Sequence, residues 1–158
     1  MSYLKLLKLL YLADRKALLE HHRPITYDRS VSMDHGPVLS QTYNLIVAED
    51  RPEQPSYWRQ YISEPDNYEV QLRRPAPNGQ LSPAQEAVLE DVFREFGHLT
   101  RWQLVELTHQ LPEWEDPHGS SIPIDLHDVL RAGGLPDADV EAVEETLAAE
   151  DALAELLK

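Results

Sequence analysis

The chain has 158 residues, 42% of them apolar, enough for one domain with a buried core and too apolar for a disordered segment. Its 28 Asp and Glu stand against 14 Lys and Arg, a formal charge of −14. Such a surface repels phosphate backbones and suits a basic protein partner, although negative charge also serves solubility alone. There is no cysteine, so disulfides and thiolate metal sites are excluded. No apolar run reaches the length of a bilayer span, and the leucine-rich start carries Lys5, Lys8 and Asp14 without a small-residue cleavage site. A cytosolic protein, away from membranes and nucleic acid, is expected.

The first element is a helix over residues 3–20, with leucines at 4, 6, 7, 9, 10, 12, 18 and 19. Lys5, Lys8, Arg15 and Lys16 share one arc at helical spacing, which predicts that the opposite arc faces the core. Leu12 and Leu19 fall inside the basic arc. They are a candidate contact surface, unless the helix is surrounded on all sides. Asp14 falls in the apolar arc beside Leu7, Tyr11 and Leu18, where a carboxylate needs a partner.

Val31 and Met33 alternate with polar residues and predict a short strand. Gly36-Pro37 predicts a turn, with Pro37 in the first turn of a helix through Leu39, Tyr43, Ile46 and Val47. Pro52 and Pro55 mark a loop. SYWRQYI and YEVQLRR read as strands joined by the five residues SEPDN, an antiparallel hairpin with Tyr68, Val70 and Leu72 on one side.

Two helices then have clear starts. Ser82-Pro83-Ala84-Gln85 and Thr100-Arg101-Trp102-Gln103 each place a capping hydroxyl three residues before a glutamine. Val88, Leu89, Val92, Phe93 and Phe96 form the apolar face of the first, and Gly97 stops it. Trp102, Val105 and His109 form a stripe on the second, which Pro112 ends. A short helix after Asp125 closes at Gly133-Gly134. Residues 137–158 are helical by composition, with eight acids and Lys158 as the only base after Gly134. Val140, Val143 and Leu147 make one stripe. Leu153, Leu156 and Leu157 make a second, rotated stripe, so the helix either bends near Ala149 or its end reaches elsewhere.

Catalytic spacing is missing. The seven histidines include no HExxH, His21 and His22 diverge on a helix, and Pro112 separates His109 from Glu113. There is no nucleophile elbow and no phosphate-cradling glycine loop. Asp116 and His118 lie near His109, but no nucleophile accompanies them. No metal, cofactor or catalytic residue is expected. His109 reads as a connector bonding a backbone carbonyl or Asp14, with Trp114 as a lid over the helix end; a partner groove lined by both is the alternative.

The ordered segments KLLKLLYLADR, RPITYDRSVSMDHGPVLSQTYNLI, LSPAQEAVLEDVFREFGHLT, ELTHQLPEW and IPIDLHDVLRAGG resemble the SocA-like, or Panacea, antitoxin domain family, over residues 4–134. The core HGPVLSQTY is the most distinctive part. The resemblance implies a mostly helical domain with a small β element. It implies neutralisation of a toxin encoded nearby by direct contact, or an adaptor role that hands a toxin to a protease. The pattern positions are Tyr11, Asp14, His35, Gly36, Pro37, Val38, Tyr43, Thr108, His109, Pro112 and Trp114, most of them scaffold on physical grounds. The chain starts almost at the first motif, so operon autoregulation through a DNA-binding module is not expected.

The expected architecture is mainly α: a helical bundle around a buried N-terminal helix, with a two- or three-stranded antiparallel element. Residues 1–134 form the family domain and residues 135–158 an acidic helical extension of it. The expected function is a toxin-binding antitoxin, with a protease adaptor and a small enzyme using His109, Asp116 and His118 as rivals. Leu12, Leu19, Leu153, Leu156 and Leu157 are the candidate toxin contacts, and a homodimer is a further possible assembly.

Overall fold

The computed structural model describes residues 1–48, 56–77 and 79–158. Among them are six α-helices and a small three-stranded antiparallel sheet of order β2-β1-β3. Helix α1 (Tyr3–His21) is the axis. Leu7, Leu12 and Leu18 each belong to a different one of three apolar clusters, so α1 is enclosed from several sides. Such enclosure is what an all-round leucine helix requires. The expected mainly helical bundle around a buried first helix is the observed architecture.

The enclosure overturns the basic-arc reading of α1. Lys8 is fully buried, and Leu12 packs with Val88 and Val92 of α3 (Pro83–Phe96). Leu19 is half-buried against the cluster that holds α5 (Leu126–Ala132) and α6 (Asp137–Leu156), and its side chain lies where a Cβ on Gly133 would stand. Leu12 is therefore core, and Leu19 is largely packed inside the protein.

Strands β1 (Ser30–Met33) and β2 (Gly36–Leu39) form a hairpin in which Val31 pairs with Val38 and Met33 with Gly36. Pro37 therefore lies in a strand and not in a helix. The helix begins only at Ser40, as α2 (Ser40–Val47). A proline is tolerated there because β2 is an edge strand and needs no amide donor on its outer side. Strand β3 (Ile122–Pro123) pairs with the other side of β1. The N-cap of α2 offers no side chain of its own. Asp28 substitutes, accepting from the amides of Gln41 at 2.9 Å and Thr42 at 2.8 Å.

Residues 56–73 differ from the expected strand hairpin. Trp58–Gln60 is a 3₁₀ turn, and the antiparallel pairing contracts to isolated bridges, Ile62 with Leu72 and Asp66 with Glu69. Tyr68 has a φ of 63°, which breaks strand geometry, and only Val70 of the Tyr68, Val70, Leu72 triplet is buried. Arg59 organises the turn. Its buried guanidinium donates to the carbonyls of Ile46, Ala48 and Ser63 at 2.7–3.0 Å, closing the end of α2. The expected loop at Pro52 and Pro55 lies outside the described residues.

Helices α3 and α4 (Arg101–His109) start with the two reciprocal capping boxes read from their hydroxyl–glutamine spacing. Helix α6 runs continuously through Ala149. Its first stripe, Val140, Val143 and Leu147, joins Tyr11, Leu18 and Leu39 in one cluster. Leu153, Leu156 and Leu157 continue past the core and are exposed.

Candidate partner-binding site

The polar residues of the sequence motifs converge from distant segments, and nearly all are engaged inside the protein. Asp14 does not meet His109. Its carboxylate accepts from the amides of Ile25 at 2.9 Å and Thr26 at 3.0 Å, and from the Thr26 hydroxyl. Burial pushes its pKa up, and those hydrogen bonds oppose the shift. The partner that an inward-facing aspartate demands is thus the loop that leaves α1.

Glu113, which the sequence pattern offered only as a metal-ligand partner of His109, instead forms a buried charge site. The Tyr11 hydroxyl donates to its Oε1 at 2.9 Å, and Arg15 Nε donates to the same oxygen at 2.6 Å. The Glu113 side chain has no exposure. Burial, and then the neighbouring Glu113 carboxylate, raise the Tyr11 pKa above its ordinary value. A sequence signal existed: Tyr11 and Arg15 stand one helical turn apart on α1, which presents both to one acceptor.

His109 ends α4 with its ring stacked on Trp114, centroids 4.0 Å apart and planes inclined by 22°. Its Nε2 lies 3.0 Å from the Asp34 carbonyl, so that nitrogen carries the proton and donates. Trp114 Nε1 donates to the Met33 carbonyl at 3.1 Å. Both rings clamp the β1–β2 turn to α4, which is the connector-and-lid arrangement. Thr108 is buried and donates back to Leu104 O at 2.8 Å. Pro112 is exposed in the loop that carries Glu113. Asp116 and His118 are exposed and 3.5 Å apart, and the His109 ring bonds to Asp34 O and stacks on Trp114 rather than meeting either of them.

Gly36 is the point of closest approach. Its φ is +92°, and a Cβ there would lie 2.7 Å from Thr108 Oγ1 and 3.1 Å from Lys8 Nζ. Lys8 Nζ donates to Pro37 O at 2.8 Å, and burial lowers its pKa to about 7.

Among the described residues, several surfaces remain open to a partner. A groove of about 520 Å³ runs past the hairpin tip, lined by His35, Tyr43, Tyr68 and Trp102. The edge of the Trp102 ring meets His35 at 5.6 Å between centroids. A second groove, of about 680 Å³, lies between α1, α5, α6 and residues 24–30. A third surface is the exposed leucine stripe at the end of α6. Among the described residues, no cluster of three or more His, Cys, Asp or Glu could hold a metal ion, and no helix is long and apolar enough to cross a membrane.

The family described as antitoxin SocA-like, Panacea domain, matches residues 6–115. The chain belongs to this family. The SocA-like match takes in α1, the hairpin, α2, α3, α4 and the Glu113–Trp114 loop, and it ends before β3, α5 and α6. No curated protein and no solved structure matches the chain. The Panacea segment therefore contains the whole internal polar network just described, including Tyr11, Arg15 and Glu113.

Proposed function

We propose that this protein is an antitoxin that binds a cognate toxin protein and blocks it by direct contact in the cytosol. The observation that carries this reading is membership of an antitoxin-named family over residues 6–115. The bonding pattern supports binding over catalysis. Asp14, Thr108, His109 and Glu113 are committed to internal hydrogen bonds, so the motif residues build a rigid scaffold. The open surfaces instead carry exposed aromatics and leucines, the side chains that anchor protein interfaces. A net charge of −14 speeds encounter with a basic toxin surface.

In this reading Leu153, Leu156 and Leu157 form one contact, docking an amphipathic helix end on the toxin. The test is co-expression with the small protein encoded beside this one. Growth rescue together with a stoichiometric complex supports neutralisation by contact. Rescue without a stable complex, accompanied by protease-dependent loss of the toxin, assigns an adaptor role instead. Absence of rescue removes the antitoxin reading.

A further inference from the structure

The second groove has an apolar floor and an acidic rim. Leu18, Val129 and Leu147 form the floor, while Asp125 and Asp151 stand exposed at the rim. The Asp125 side chain makes no capping bond to α5, which leaves its carboxylate turned to other uses. Two arginines also line the groove. Arg15 is already paired with Glu113, so among the described residues lining the groove Arg29 remains to offset the rim.

Tyr27 stands at the same rim with 51% of its surface exposed. Its backbone is left-handed, with φ 55°. Asp14 holds the two residues before it, and Asp28, the residue after it, is fixed on the start of α2. The ring is thus presented by a backbone ordered during folding, which lowers the entropy lost on binding.

We infer that this groove seats a basic amphipathic segment of a protein partner, its apolar side chains against Leu147 and Tyr27 and its Lys or Arg side chains against Asp125 and Asp151. The inference deepens the contact-antitoxin reading and rests on it for the toxin as natural occupant. Charge complementarity selects this occupant. A second copy of the chain also carries −14, and its exposed leucine stripe sits among Glu150, Asp151 and Glu155, so it is repelled from an acidic rim.

The experiment uses the full chain and a fluorescein-labelled 14-residue amphipathic peptide of Leu, Lys and Arg, with a Glu-for-Lys/Arg peptide as control. Binding is followed by anisotropy and mapped by amide chemical shifts. In the Asp125→Asn/Asp151→Asn/Tyr27→Asn variant the two Asp→Asn changes remove charge at constant side-chain size, and asparagine at position 27 removes the ring while tolerating left-handed φ. Glu141→Gln/Glu145→Gln makes the same charge change elsewhere on α6. The expected result is that shifts gather on the groove, the triple variant binds at least tenfold more weakly, and the Gln pair changes affinity less than twofold. Shifts that map to the hairpin-tip groove or scatter, or a triple variant that binds like the parent, overturn the inference. Self-association through the groove would do so as well. Groove binding without toxin rescue would remove the toxin as occupant and keep the groove. Rescue that survives in the triple variant, with no peptide binding, would remove the groove and keep the antitoxin.

Discussion

Lys8, in the middle of the first helix, donates its amine to the carbonyl of Pro37 at 2.8 Å and is wholly shielded from water. The bond ties α1 to the edge strand of the hairpin at the place where Gly36 lets the chains approach. A buried ammonium is expensive to desolvate, so burial lowers the Lys8 pKa from its ordinary 10.5 to about 7.

The sign of the pH dependence follows. Below about pH 7 the amine is charged in both the folded and unfolded chain, and the full desolvation penalty applies. Between about 7 and 10.5 the unfolded chain binds the proton and the folded chain does not, so this group makes stability rise with pH. The slope from one such group approaches about 1 kcal/mol per pH unit. Urea unfolding of the parent and of Lys8→Met at pH 7 and pH 9 should show that the parent gains relative to the variant at the higher pH. A difference independent of pH would mean that the amine stays charged.

Gly36→Ala adds a methyl at φ +92° and 2.7 Å from Thr108 Oγ1, where β2 meets α4. Backbone strain and overpacking act together. A loss of about 2–4 kcal/mol is expected in chemical denaturation. Retention of parental stability would show that the hairpin moves away from α4 without penalty.

Tyr11→Phe removes one of the two donors to Glu113 Oε1 and leaves the Arg15 pair, so a loss of about 1 kcal/mol is expected. Glu113→Ala strands the Arg15 guanidinium and the Tyr11 hydroxyl together, and about 3 kcal/mol is expected. The double variant should lose less than the sum, because both changes act on one network. Strict additivity in a double-mutant cycle would show that the two bonds are independent.

His109→Ala deletes the stack on Trp114 and the bond to Asp34 O, which amounts to about 1–2 kcal/mol of stability. Toxin neutralisation should survive at temperatures where the variant is folded, as monitored by circular dichroism. A folded variant that no longer neutralises would give His109 a role in the contact.

Replacing Leu153, Leu156 and Leu157 by Ser should leave the unfolding midpoint unchanged, since their side chains are exposed beyond the core. The affinity for the toxin should fall at least tenfold, measured by calorimetry on the purified pair. Full neutralisation by the triple variant would eliminate the helix end as a contact.

Local patterns carry the helices. The Ser82–Gln85 and Thr100–Gln103 boxes satisfy amides within one turn, so a few neighbouring residues suffice to specify each start. The leucine periodicity of α1 and the stop at Gly133-Gly134 are local in the same way, and they made the helical class legible in the sequence. Asp14 could be read as needing a partner because an apolar arc does not forgive a lone carboxylate.

Tertiary structure alone decided which partner it took. Lys8 belongs by spacing to a basic surface arc, yet strand β2, 29 residues away, covers it and supplies its acceptor. Leu12 is core only because α3 lies over it. Glu113 became a buried acceptor because Tyr11, 102 residues earlier, faces it. Pro37 sits in an edge strand because β1 is the register partner that the hairpin turn provides. In each case the deciding quantity is the desolvation of a group by a segment remote in sequence. That quantity depends on which faces meet, and no periodicity within a single segment encodes it.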